Sequence, residues 1–272
     1  MARSRVPAAS AGVVSLLFGA LLFVPVIVLG AAIGWPASLD EPATVIMPLI
    51  LDQQVAVQFG YLVYLAYSVL FFPAIALIGR VLGDSPTTRL AAVFAAISTL
   101  ARSIGILRWL TVLPALAVAY AAEPTAAIAI AFDAINSYGG GIGELLGVSA
   151  FGALAIALTS VSIARSGTLP KWLAAFGFVA AAALMLPWLE LLGIDLGAIL
   201  SISVTVVQLW FFAMGFALMS LARRDRVARL AETDSPAQQT TPQKNTVQQN
   251  TAQQNTVQQN TAQLDKTAAM ES

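Results

Sequence analysis

The stretch Val55-Ala-Val-Gln-Phe-Gly-Tyr-Leu-Val-Tyr-Leu-Ala-Tyr-Ser-Val-Leu-Phe-Phe-Pro-Ala-Ile-Ala-Leu-Ile78 decides the fold. It runs for 24 residues without a charge and stops at Gly79-Arg80. Crossing ~30 Å of hydrocarbon takes about 20 predominantly apolar residues at the α-helical rise. Lipid offers no partner to a free backbone amide or carbonyl, so such a segment must be helical. Five further segments meet the same length: 12–33, 90–118, 141–164, 172–192 and 197–222. The fold class is all-α, a polytopic membrane bundle of six transmembrane helices.

Composition agrees. Apolar residues make up 58% of the chain and charged ones 10%, with a mean hydropathy of +0.80. A water-facing domain carries about 25% charged residues, so the partner of most of this surface is the lipid bilayer. The formal net charge is zero, which argues against a nucleic-acid partner, where a basic face is expected. The chain has no cysteine, hence no disulfide, thiolate metal site or thiol nucleophile. It also has no histidine, which removes histidine-ligated haem, histidine zinc sites and Ser-His nucleophile pairs. No metal, cofactor or catalytic residue is expected, and the reading is of a non-enzymatic membrane protein.

Orientation follows from lysine and arginine in the short loops. Arg3, Arg5, Arg80, Arg89, Arg165, Lys171, Arg223, Arg224, Arg226 and Arg229 all fall on one side of a six-span topology. The opposite loops carry only acids: Asp40, Glu41, Asp52, Glu123, Asp133, Glu190 and Asp195. Both termini are therefore expected in the cytoplasm, and the dominance of Arg over Lys with the high alanine content fits a bacterial cytoplasmic (inner) membrane. The first segment is too long for the ~7–15-residue core of a signal peptide and reads as a retained span.

The domain plan is a cytoplasmic N-terminus (1–11), a six-helix membrane domain (12–222), a basic juxtamembrane segment (223–235) and a tail (236–272). From Asn245 the tail repeats Asn-Thr-Val/Ala-Gln-Gln, too polar to offset the entropy of ordering, and is expected to be disordered. Two short apolar segments on the acidic side, 43–51 and 125–137, read as interfacial or re-entrant helices.

Arg102 and Arg108 stand inside the third segment. At ~1.5 Å per residue from Leu90, Arg102 lies ~18 Å deep and Arg108 ~9 Å further. A mid-span arginine costs about 2.5–3.5 kcal/mol on insertion scales, so it faces the bundle and needs a partner. Glu144 and Glu190 match Arg108 in depth. No acid matches Arg102, whose expected acceptors are Gln208, Tyr64, Tyr67 or backbone carbonyls. The two arginines are about 120° apart on the helix, so one pocket holding both would need a distortion near Gly105. Two readings stay open. Arg108 and Glu144 form a buried ion pair that docks two spans, or Arg108, Glu144 and Glu190 line an outward-facing pocket for an anionic lipid or small anionic ligand. A transporter with its site among Arg102, Arg108, Glu144 and Gln208 is the alternative. Gln58, Tyr61, Tyr64 and Ser68 form a polar stripe, expected to hydrogen-bond to a neighbouring helix. Pro25, Pro73, Pro114 and Pro187 should each kink a span. Gly143 and Gly147 form a Gly-x-x-x-Gly suited to close packing within the chain.

Three runs carry a resemblance. They are Gly60-Tyr-Leu-Val-Tyr-Leu-Ala-Tyr67 with Phe71-Phe-Pro73 and Arg80, then Arg102-Ser-Ile-Gly-Ile-Leu-Arg-Trp109, then Leu169-Pro-Lys-Trp-Leu173. Together they resemble a family of small bacterial multi-pass membrane proteins known as a domain of unknown function. The likeness covers residues 10–222 and leaves out the tail. It implies a membrane bundle and no activity, substrate or cofactor.

Overall fold

A computed structural model describes residues 8–39, 41–194 and 199–233. The described residues are helical with no strand, and six of the helical stretches are long and apolar enough to cross a membrane. The chain is a multi-pass membrane protein. Span one is α1 (Ala8–Leu21) followed by α2 (Phe23–Ile33), and the short α3 (Ala43–Asp52) comes next. Span two is α4 (Gln54–Leu82); span three is α5 (Pro86–Leu110) with α6 (Val112–Ala122). Span four joins α7 (Ala126–Gly140), a π-helical stretch (Gly141–Gly152) and α8 (Ala153–Ser166). Span five is α9 (Lys171–Leu184), which tightens into a 3₁₀ helix (Leu186–Leu192), and span six is α10 (Ile199–Thr233).

The breaks sit where proline dictates. Proline has no amide proton for the carbonyl four residues earlier. The helix resets at Leu22 ahead of Pro25, at Thr111 ahead of Pro114, and at Met185 ahead of Pro187. Pro48 and Pro73 are different, because α3 and α4 run through them unbroken. The turn into α5 is built by Ser85, whose hydroxyl accepts from the Thr88 amide while Thr88 accepts from the Ser85 amide, with Pro86 opening the helix. This reciprocal cap satisfies two otherwise unpaired donors. Asp84 and Arg89 pair across the same turn at 2.6 Å, fully in solvent. At the end of α8, Gly167 takes a left-handed φ of +65° that lets the chain reverse before Pro170.

Two expectations are corrected. Residues 125–137 do not form a separate interfacial or re-entrant helix, because they open a helix of 41 residues, Ala126–Ser166. Gly139 to Gly141 look like a breaker in the sequence, yet the helix widens there into i→i+5 bonding instead of ending. The α-helical part of span five stops at Leu184, short of the expected 192, because Pro187 and the tightened turn take over. The segment 43–51 does form a helix of its own, α3, with Ile46, Met47 and Ile50 fully buried.

Contacts gather the chain into two units, 1–222 and 223–272. In the first, α4 packs on α5, α5 on the π-helical stretch and α8, α8 on α9, and α1 and α2 on α4. Glycines set the closest crossings. A Cβ on Gly105 would lie 2.7 Å from the Gly143 Cα, and one on Gly147 would lie 2.8 Å from the Arg102 Cγ. Gly143 and Gly147 thus serve packing inside the chain. Gly12 and Gly215 meet between α1 and α10, and the Trp210 indole donates to the Leu173 carbonyl at 3.0 Å, joining α10 to α9. The central core centres on Phe18, Tyr67, Phe71, Trp210 and Phe211. A second core near the acidic loops joins α2, α3, α4, α5, α6 and α7 through Leu29, Met47, Tyr61, Trp109, Leu113 and Phe132. In the second unit the described residues continue α10, with Arg223, Arg224, Arg226 and Arg229 exposed.

Candidate functional site

Tyr61, Tyr64, Tyr67 and Phe71 recur every three or four residues along α4, the spacing of one helix face. They build an aromatic ladder through the bundle. Trp109 stacks on Tyr61 at 4.7 Å, Tyr61 meets Tyr64 at 6.5 Å, Tyr64 stacks on Tyr67 at 5.8 Å, and Tyr67 stacks on Phe18 at 4.4 Å. Trp35 stands edge-on to Tyr64. The stripe of Gln58, Tyr61, Tyr64 and Ser68 was expected to pack by interhelical hydrogen bonds, and its two tyrosines pack by their rings. The Tyr61 and Ser68 hydroxyls are buried with no hydrogen-bond partner.

Arg102 and Arg108 of α5 lie against this ladder, six residues apart. No distortion brings them together, since α5 stays α-helical through Gly105. They form two adjacent sites with separate partners.

Arg108 is the better-connected one. Its Nε donates to Asn136 Oδ1 at 3.1 Å, its Nη1 to the Gly105 carbonyl at 2.9 Å, and its Nη2 reaches Glu144 Oε1 at 3.5 Å. The guanidinium lies 5.9 Å from the Trp109 ring centroid, and its stem rests on Gly139, where a Cβ would lie 2.6 Å from Cδ. The buried-pair expectation is half right. Arg108 is 7% exposed, but the Glu144 side chain is 49% exposed, so only one half of the pair is buried.

Asn136 escaped the sequence reading, and Asp133 entered it only as a loop acid. The Asn136 amide donates to the Leu39 carbonyl at 2.9 Å, and Asp133 accepts from the Ala43 amide at 3.2 Å. Together they tie α7 to the segment before α3. The signal was present, since Asp133, Asn136, Gly140 and Glu144 follow helical spacing, but it shows only if residues 125–152 are taken as one helix.

Arg102 is 8% exposed, and its Cζ lies 5.3 Å from the Tyr67 ring centroid and 5.1 Å from that of Phe71. Its Nε and Nη1 have no acceptor. Gln208 does not bind it directly. Instead, Gln208 Nε2 donates to the Tyr67 hydroxyl at 2.7 Å. Of the expected partners, Tyr64 packs against the rings of Trp35, Tyr61 and Tyr67, and Glu144 touches Arg108. The side chain of Glu190 lies outside the described residues.

Beside Arg108 a groove of about 400 Å³ opens between α5–α6 and α7. Ile104, Leu107, Ile135, Ile142 and Tyr138 line it, with Arg108 in its wall. Tyr138 is 75% exposed at the rim. The groove is largely apolar, and Arg108 is its one charged lining residue. Among the described residues no three Asp or Glu side chains gather in a way that could hold a metal ion.

A family model described as a domain of unknown function (DUF4386) matches residues 11–222. This is the resemblance expected from the three sequence runs, over almost the same residues. No curated protein and no solved structure matches the chain.

Proposed function

Because the chain belongs to this family of unknown function, its role has to be read from the site, and we propose that it binds an anionic, lipid-like amphiphile in the groove beside Arg108. The supporting observation is a permanent cation in the wall of an apolar groove between α5–α6 and α7. An arginine cannot shed its proton, and its planar fork suits phosphate or carboxylate oxygens. Only one carboxylate, Glu144, touches it among the described residues, at a long 3.5 Å and half in the open. A head-group oxygen can replace so loose a contact. Depth supports the same ligand. Arg108 lies ~27 Å along the helix from Leu90, close to the far edge of a ~30 Å hydrocarbon layer, where lipid head groups reside.

The setting is a bacterial cytoplasmic membrane with both termini in the cytoplasm, by the bias of lysine and arginine to one set of loops. In this orientation the Arg108 groove belongs to the outer leaflet. The role is binding without chemistry, since the groove offers no nucleophile beside a base.

Native mass spectrometry of the full chain released from membranes in mild detergent tests this. We expect an anionic phospholipid adduct on the wild type that falls at least tenfold in Arg108→Gln, with zwitterionic adducts unchanged. An identical adduct pattern in the two proteins would remove the proposal.

A further inference from the structure

We infer that the guanidinium of Arg102 is the cationic half of an interior binding site for a small anion, in the bundle core beside α4 and α10. Its charge is permanent, because a guanidinium cannot be neutralised by losing a proton at any accessible pH. The side chain is 8% exposed and pairs with no carboxylate among the described residues. What surrounds it is the faces of Tyr67 and Phe71, at 5.3 and 5.1 Å. Ring faces stabilise a cation but accept no N–H bond in the way an oxygen does. Nε and Nη1 are both buried without an acceptor, the arrangement that low-dielectric interiors tolerate least.

A second buried group beside it is also unsatisfied. Gln208 is 4% exposed, and its amide bonds the Tyr67 hydroxyl with one end while the other end has no partner. The amide can make that bond either way round, with its NH₂ as donor or with its oxygen accepting from the hydroxyl. In the second arrangement its NH₂ joins the arginine as a free donor beside the same ring. Tyr67 thus carries Arg102 on its face and Gln208 on its hydroxyl. The space for the arginine is made by Gly147, since a Cβ there would come within 2.8 Å of the Arg102 Cγ and 2.9 Å of its backbone nitrogen.

A water molecule could accept these hydrogen bonds but would leave the charge uncompensated. An anion does both. The rings of Tyr67 and Phe71 and the backbone of Gly147 close in on the Arg102 side chain, so the ion has to be compact, of the size of a halide, nitrate or short carboxylate. The inference is separate from the lipid site, because Arg102 and Arg108 share no hydrogen-bond partner.

The test uses the full chain in detergent, exchanged into sodium gluconate and titrated with chloride, nitrate or acetate at constant ionic strength. The expected result is a saturable rise in the unfolding midpoint with at least one of the three salts. It should be absent in Arg102→Met and kept in Arg108→Gln. Equal midpoints in all four salts, or a rise that survives Arg102→Met unchanged, would overturn the site. Should Arg102→Met fail to fold, Gln208→Leu decides the matter. The half-saturating concentration should rise at least tenfold, and an unchanged saturation curve would overturn the inference.

Discussion

Arg108 places its three guanidinium nitrogens on three different elements: α7 through Asn136, its own helix through the Gly105 carbonyl, and the π-helical stretch through Glu144. These contacts are not equal. Glu144 is half exposed and 3.5 Å away, so Glu144→Gln should lower stability by less than ~1 kcal/mol, as exposed ion pairs do. Asn136→Leu removes an acceptor from a buried arginine and a donor from the Leu39 carbonyl. It should cost about 1–3 kcal/mol, the penalty for stranded polar groups. Thermal unfolding of both variants in detergent decides the order, and a larger loss for Glu144→Gln would make the ion pair the main bolt. Outside the spans, the Arg89 hydrogen bond holds the Asp84 carboxyl below the ordinary aspartate range. A carboxyl depressed in the folded state adds stability above its unfolded pKa, which is lost as pH falls through the folded value. The pair is fully exposed, so the effect should be small. NMR titration should show Asp84 protonating below an unpaired aspartate, and Arg89→Gln should return it to the ordinary range. Sequence reasoning placed both arginines inside the bundle and named Glu144, with Glu190, as a partner for Arg108; the structure puts Glu144 against it. It missed Asn136 because that residue appeared to lie in a separate outer helix.

At the level of elements, glycine decides how closely α5 and span four approach. A Cβ on Gly105 meets backbone, the Gly143 Cα at 2.7 Å and the Gly139 carbonyl at 2.9 Å, and neither can rotate away. Gly105→Ala should therefore force the helices apart and cost about 1–3 kcal/mol, the range for overpacking. Gly141 has nothing within 4 Å of the same atom. Gly141→Ala should leave stability unchanged or raise it by up to ~1 kcal/mol, the usual gain of alanine over glycine in a helix. If both variants unfold alike, the close approach is not what holds the two helices. The six spans were legible because uninterrupted apolar length has one solution in lipid. The join between α7 and α8 was not legible, because Gly139-Gly-Gly141 has the composition of a loop. A helix that widens into i→i+5 bonding leaves no such mark in composition, and long π-helical stretches are rare. The prolines divided the same way. Three reset their helices as expected, and α4 absorbed Pro73 without a break.

At the scale of the whole molecule, spans three and four outgrow the bilayer. The stretches of 37 and 41 residues reach roughly 55–60 Å at the α-helical rise, against ~30 Å of hydrocarbon. The excess, with α3, forms the second core around Met47, Trp109, Leu113 and Phe132, and the Arg108 groove opens beside it. The proposed orientation puts that core outside the cell. The absence of native cysteine makes this simple to check with single-cysteine variants. In spheroplasts, a membrane-impermeant maleimide should label Glu123→Cys at once and Thr168→Cys only after permeabilisation, and the reverse order would invert the topology. The central claim concerns the groove itself. Its most direct test is thermal unfolding of delipidated protein titrated with phosphatidylglycerol, phosphatidylcholine or inorganic phosphate, on the wild type and Arg108→Gln. At one hundred times its dissociation constant a ligand adds about 2.7 kcal/mol. We expect that stabilisation for phosphatidylglycerol alone, and its loss in the variant. Equal stabilisation by both lipids, or a full effect that persists in Arg108→Gln, would mean that Arg108 only fastens helices together.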